Sequence, residues 1–133
     1  MAVFNTEFHL TKRAIDSVLG QDFQDFELII IDDGSTKNDR KSLLEYIELH
    51  EDKIAYIRHR NRGQAASINR GVINSIGEYI TILDSDDEYK PFHLSACLQE
   101  MENADLICST TETVVDSIED YYVPDKNDLS KPI

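Results

Sequence analysis

Apolar positions along this chain follow two alternating rhythms. Phe26, Leu28, Ile29, Ile30 and Ile31 make a nearly continuous apolar run closed by Asp32, Asp33, Gly34 and Ser35, the pattern of a buried strand ending in a tight turn. Residues 53–58 alternate more loosely, as a strand nearer a sheet edge would, and 78–83 and 104–109 predict two further strands. Helical spacing fills the gaps. One stripe holds Leu10, Ala14, Val18 and Leu19; a second, within 39–50, holds Leu43, Leu44 and Ile47; a third holds Ala65, Ile68, Val72, Ile73 and Ile76. A fourth, with Leu94, Leu98 and Met101, follows Pro91, a residue suited to a helix's first turn. This alternation predicts an α/β fold with a mostly parallel sheet and helices on both faces. In such sheets the ligand crevice lies beyond the carboxyl ends of the strands.

The two ends depart from that pattern. Only Ala2, Val3 and Phe4 precede the first helix, where a doubly wound domain opens with a full apolar strand, and after Ser109 the periodicity loosens. The expected organisation is a core over 1–110 and a loosely structured extension over 111–133.

Bulk composition narrows the function classes. With 133 residues the chain is one domain's worth, and 26 acids against 13 Lys and Arg give a formal charge of −13. That field repels nucleic acids and anionic membranes, yet admits a small anion that arrives with a divalent cation. Cys97 and Cys108 stand in apolar stretches without metal-ligand spacing and read as buried free thiols in a reducing compartment. No apolar run approaches the ~20 residues of a membrane span, and the first residues lack the basic start and apolar stretch of a signal peptide. The expected localisation is cytoplasmic.

Candidate chemistry concentrates at the strand ends. Asp84, Asp86, Asp87 and Glu88 put four acids within five residues directly after a predicted strand. Two carboxylates about 4 Å apart repel by roughly 4 kcal/mol at an effective dielectric near 20. Such a cluster persists if it is splayed into water, if one acid keeps its proton, or if a cation lies among the acids. Carboxylates at i and i+2 of a turn can reach one hard cation; the plain alternative is a solvated acidic turn. Asp32 and Asp33 end a different strand and so share the same rim. Asp33 fits a ligand-facing acid and Ser35 a helix cap, against the plainer reading of an Asp-Gly turn. Arg58, His59, Arg60 and Arg62 form the one dense positive patch, leading into a helix start that suits a diphosphate, or else a solvated loop. His9, His50 and His93 are scattered and read as surface or helix residues.

Taken in order, these pieces resemble a family-2 glycosyltransferase of the GT-A (Rossmann-like) fold. The matching residues are Val3, Phe4, Asn5, Thr6 and Glu7; Ser17 to Gln21 with Phe26, Glu27 and Leu28; and Asp32, Asp33, Gly34, Ser35 and Thr36. Asn61, Arg62 and Gly63, then Asn69, Arg70 and Gly71, then Gly77 to Ile80, then Leu83 to Asp87 follow, with Pro91 and Leu94 at the usual distance. The resemblance covers roughly residues 2 to 110 and implies the nucleotide-sugar-binding part of the fold, truncated at both ends. It implies that Asp86 ligates Mg²⁺ or Mn²⁺, that Asp84 meets the ribose or a metal-bound water, and that Asp33 contacts the base beside Phe4. Asn5, Glu7 and Arg62 complete the implied donor-binding set. The implied partners are a nucleotide-sugar donor, UDP-sugar first among them, and a glycan or other hydroxyl acceptor, with transfer by inversion. The general base on the acceptor is expected beyond Ile133, which leaves open whether the chain acts alone. Two departures are Phe4, where the family usually has Tyr, and Ile68, where it often has Arg.

Two other classes compete. A response-regulator receiver is also acidic and doubly wound around Mg²⁺, but its acid pair follows the first strand and a Lys closes its fifth, where this chain has Ser109, Thr110 and Thr111. A non-catalytic interaction module on the same fold would expose sheet edge and apolar surface and form homo-oligomers.

Overall fold

The computed structural model describes residues 1–37, 39–101 and 104–109. Among these residues three parallel strands form one sheet in the order β1 (Ala2–Val3), β2 (Leu28–Asp32), β3 (Ile54–Arg58). Its helices are α1 (Phe8–Leu19), α2 (Arg40–Glu48), α3 (Gln64–Asn74) and α4 (His93–Glu100). All five residues of β2 are buried, as a central strand covered on both faces requires. β3 buries only Ile54 fully, which fits its place at the sheet edge.

The pleat divides β2 between two layers. Leu28 and Ile30 join the core formed by Ala14, Ile15 and Val18 of α1 and Leu43 and Ile47 of α2. On the opposite face α3 comes so close that a methyl at Gly71 would lie 3.7 Å from Ile31 Cγ1. The expected α/β arrangement, parallel and with helices on both faces, is therefore present. α1 buries Thr11, Ala14, Ile15 and Val18, a spacing of three, one and three that turns its stripe slightly from the one read in the sequence. It ends at Gly20, whose N–H bonds to Asp16 O at 2.9 Å.

Several expectations are corrected. Residues 78–83 and 104–109 form no strand. At the β1 edge of the sheet only two residues are offered for pairing, too short a ladder to template a further parallel strand. The segment 104–109 likewise pairs with neither edge strand, β1 or β3. The stripe of α3 is left uncovered: Val72, Ile73 and Ile76 are exposed, and Ser67 is the helix's buried residue. α4 begins at His93, two residues after Pro91, and buries nothing fully. Cys97 is consequently half-buried and Cys108 exposed, so the reading of two buried thiols does not hold. The expected extension over 111–133 lies outside the described residues.

Candidate donor-binding site

The two acids that end β2 point to different layers and have different tasks. Asp32, 1% exposed, shares the face of Leu28 and Ile30. Its Oδ1 accepts the Ser35 N–H at 2.7 Å and its Oδ2 the Tyr56 hydroxyl at 2.5 Å. Arg58 Nε stands 3.3 Å from the same Oδ2 and Arg40 Nε 3.9 Å away. Burial alone would raise the Asp32 carboxyl, but the hydrogen bonds from Tyr56 and Ser35 and the Arg58 charge hold it below the usual carboxylate range. Asp32 is thus consumed internally.

Asp33 turns the other way. Its Oδ1 accepts the Arg62 N–H at 2.7 Å and its Oδ2 the Gly63 N–H at 2.9 Å. Each oxygen keeps a further lone pair for a ligand. The turn at 33–35 can approach the 59–63 loop this closely because of Gly34, whose φ is +80°. A methyl there would lie 2.8 Å from Asn61 N and 3.2 Å from His59 O. Gly63, at φ +87°, then stands immediately before α3.

Beyond the carboxyl ends of β1 and β2 opens a cavity of about 320 Å³. Its walls include Val3 at the end of β1 and Phe4 just after it, Asp33 after β2, Gln64 at the start of α3, and Asp84 and Asp86 from the acidic turn. Four of the expected site residues (Phe4, Asp33, Asp84 and Asp86) therefore converge on one space. Phe4 is 49% exposed, leaving its ring available for stacking. Asp84 accepts the Gln64 amide at 2.8 Å, and Thr6 and Ser85 join their hydroxyls at 2.7 Å to fasten the turn to the segment after β1.

The other three expected residues are not on the cavity wall. Asn5, at φ +53°, braces the neighbouring turn: its N–H bonds to Ser35 Oγ at 3.0 Å and its side-chain carbonyl accepts the Thr36 N–H at 2.8 Å. Ser35 is thereby engaged by Asn5, and the start of α2 has no side-chain cap, which corrects the capping role read for Ser35. Glu7 precedes α1 and lies 3.4 Å from His9. Arg62 contributes its main-chain N–H, while its side chain is exposed.

The acidic turn is held to the body by a device the composition did not reveal. Gln21, 3% exposed, donates to Ser17 O and Lys90 O, both at 2.8 Å, and accepts the Leu94 N–H at 2.9 Å. Ser17 Oγ accepts the Tyr89 N–H at 3.0 Å, and Arg13 pairs with Glu88 at 2.6 Å. The four acids are therefore not equivalent. Glu88 is neutralised by Arg13 and Asp84 is hydrogen-bonded to Gln64, while Asp86 has no hydrogen bond or ion pair among the described residues. Asp87 is pushed above the usual carboxylate range by burial and by the charges of Asp86 and Asp84. Among the described residues no three His, Cys, Asp or Glu side chains gather tightly enough to enclose a metal by themselves. A cation here would need oxygens from water and from its ligand, the habit of Mg²⁺ and Mn²⁺ at phosphate sites.

Residues 1–131 match the sequence model of glycosyl transferase family 2, further than the roughly 2 to 110 over which the motifs could be followed. The chain belongs to that family. An uncharacterised glycosyltransferase of Nostoc sp. is 39% identical over 95 residues, covering 71% of this chain and 30% of that protein. The GalNAc(5)-diNAcBac-PP-undecaprenol beta-1,3-glucosyltransferase of Campylobacter jejuni is 37% identical over 93 residues, covering 68% of this chain and 30% of that protein. Among solved structures, the mannosyltransferase PcManGT from Pyrobaculum calidifontis, in complex with GDP-Man and Mn²⁺, superimposes with a TM-score of 0.60 at 24% identity. That match covers 66% of this chain and 26% of the other. The fold is accordingly a portion of the GT-A architecture, and the chain spans about 30% of the length of these two relatives. Membership in family 2 removes the receiver reading. No described helix is long and apolar enough to cross a membrane.

Proposed function

We propose that the cavity binds the nucleoside diphosphate part of a nucleotide-sugar donor, UDP-sugar in the first instance, as the donor-binding portion of a family-2 glycosyltransferase. The observation that carries this reading is the convergence of Asp33, Phe4, Asp84 and Asp86 on one cavity at the strands' carboxyl ends. Phe4 offers a stacking face to the base, and Asp33 a carboxylate with acceptor capacity left for a base N–H or a ribose hydroxyl. Asp86 would hold Mg²⁺ or Mn²⁺, with Asp84 beside it for the ribose or a metal-bound water. When bound, that ion neutralises the departing diphosphate. Gln64 and the Thr6–Ser85 pair keep the turn in place. The reaction this binding would serve is transfer of the sugar to a glycan or other hydroxyl acceptor, with inversion.

Isothermal titration of UDP and of GDP into the chain, with Mn²⁺ or with EDTA, tests the proposal. UDP is expected to bind with Mn²⁺, to lose affinity in EDTA, and to bind at least about tenfold more weakly to Asp86→Ala. Tighter binding of GDP than UDP would keep the site and change the nucleotide. Failure of both to bind in Mn²⁺ would overturn the reading for this chain.

A further inference from the structure

One buried polar group near the cavity remains without a task. His59 follows β3, and its N–H extends the ladder to Asp32 O at 3.0 Å. Its side chain is 9% exposed and does not line the cavity. It lies instead behind the wall, where Nε2 is 3.0 Å from Ser67 Oγ and 3.6 Å from Asp33 Oδ1. Ser67 has no exposure, and the Asp33 side chain is 4% exposed. A His–Ser–Asp group buried this deeply is held for a reason, because each unpaired member would carry a desolvation penalty.

The tautomer follows from the neighbours. An ionised carboxylate only accepts. A bare Nε2 lone pair facing Asp33 Oδ1 across 3.6 Å would repel it, whereas an Nε2–H attracts it and donates to Ser67 Oγ. We propose that His59 is a positioning residue that, as its Nε2–H tautomer, ties Ser67 of α3 to Asp33 and fixes the orientation in which that carboxylate clamps the Arg62 and Gly63 N–H groups. The clamp sets where α3 starts, and Gln64, its first residue, holds Asp84. His59 thus links the two acidic groups of the cavity without touching a ligand. Its effect on nucleotide affinity rests on the proposed function; the clamp itself does not.

The test uses the whole chain in three forms: native, His59→Gln, which returns an N–H near the Nε2 position, and His59→Leu, which does not. Amide hydrogen exchange is followed at Arg62, Gly63 and, as an internal reference, Ile30. His59→Leu is expected to speed exchange at Arg62 and Gly63 by roughly tenfold or more relative to Ile30. His59→Gln is expected to return most of that protection, and UDP affinity in Mn²⁺ to follow the same order. Unchanged exchange at Arg62 and Gly63 in His59→Leu overturns the proposal. If that variant does not fold, long-range ¹H–¹⁵N spectra of the native chain decide: Nε2–H supports the clamp and Nδ1–H overturns it. Because exchange needs no nucleotide, a clamp intact in a chain that binds no UDP would refute the proposed function alone.

Discussion

Gly34 carries a constraint that no other residue type meets. It combines φ +80° with a neighbour 2.8 Å from where a methyl would stand, and that neighbour is main chain, which cannot swing aside. Gly34→Ala is expected to destabilise the chain by about 1–3 kcal/mol in urea unfolding and to loosen the 59–63 loop. Asp32 gives a second test, through pH. Its folded carboxyl is held below the ordinary range chiefly against burial, by Tyr56, Ser35 and Arg58. The stabilisation is therefore fully present above the unfolded pKa of about 3.9 and lost as pH falls through the lower folded value. Tyr56→Phe is expected to cost about 1–2 kcal/mol at pH 7, with the gap from native narrowing below about pH 4 in parallel acid titrations.

At the scale of elements, the acidic turn depends on α1. Gln21 reaches from the end of α1 to Lys90 O and Leu94 N, and Ser17 receives Tyr89 N–H. Gln21→Ala removes the hydrogen bonds to Lys90 O and from Leu94 N–H. It is expected to destabilise the chain by about 1–3 kcal/mol, speed proteolysis within 84–95 and weaken Mn²⁺-dependent UDP binding, although Gln21 is not on the cavity wall. The Ser17 to Gln21 motif was legible as a family likeness, but its use was not: which carbonyl a glutamine meets is set by tertiary placement. β2 was readable because five consecutive buried residues can only be central. The same β-branched signal failed at 78–83, since it measures fit to a pleated surface and says nothing of whether an edge is present to receive the strand. β1, two residues long, is not such an edge. Ser67 escaped, and His59 was read only as part of the positive patch, for a related reason: the packing of α3 on β2 that encloses them leaves no periodic trace.

For the whole molecule, the decisive feature is that acids from separate stretches meet on one rim. Asp33 and Asp84 are 51 positions apart in sequence, and the parallel topology brings both to the cavity. Elsewhere the molecule is held in tension. Val72, Ile73, Ile76, Ile80 and Ile82 are exposed, which favours association, while a net charge of −13 opposes it. Salt screens the second effect and not the first. Sedimentation velocity is expected to show larger species near 1 M NaCl than at low ionic strength, with Ile73→Lys reversing the trend. The proposed site stands or falls on Asp86 and its neighbours holding a cation for a nucleotide. Paramagnetic broadening of the amide spectrum by substoichiometric Mn²⁺, with UDP present, is the experiment that decides it. Broadening concentrated at 84–87 and at Asp33 and Gln64, and lost in Asp86→Ala, is the expected result. Broadening spread evenly over other acids such as Glu45, Glu48 and Glu51, or unchanged in Asp86→Ala, would contradict it.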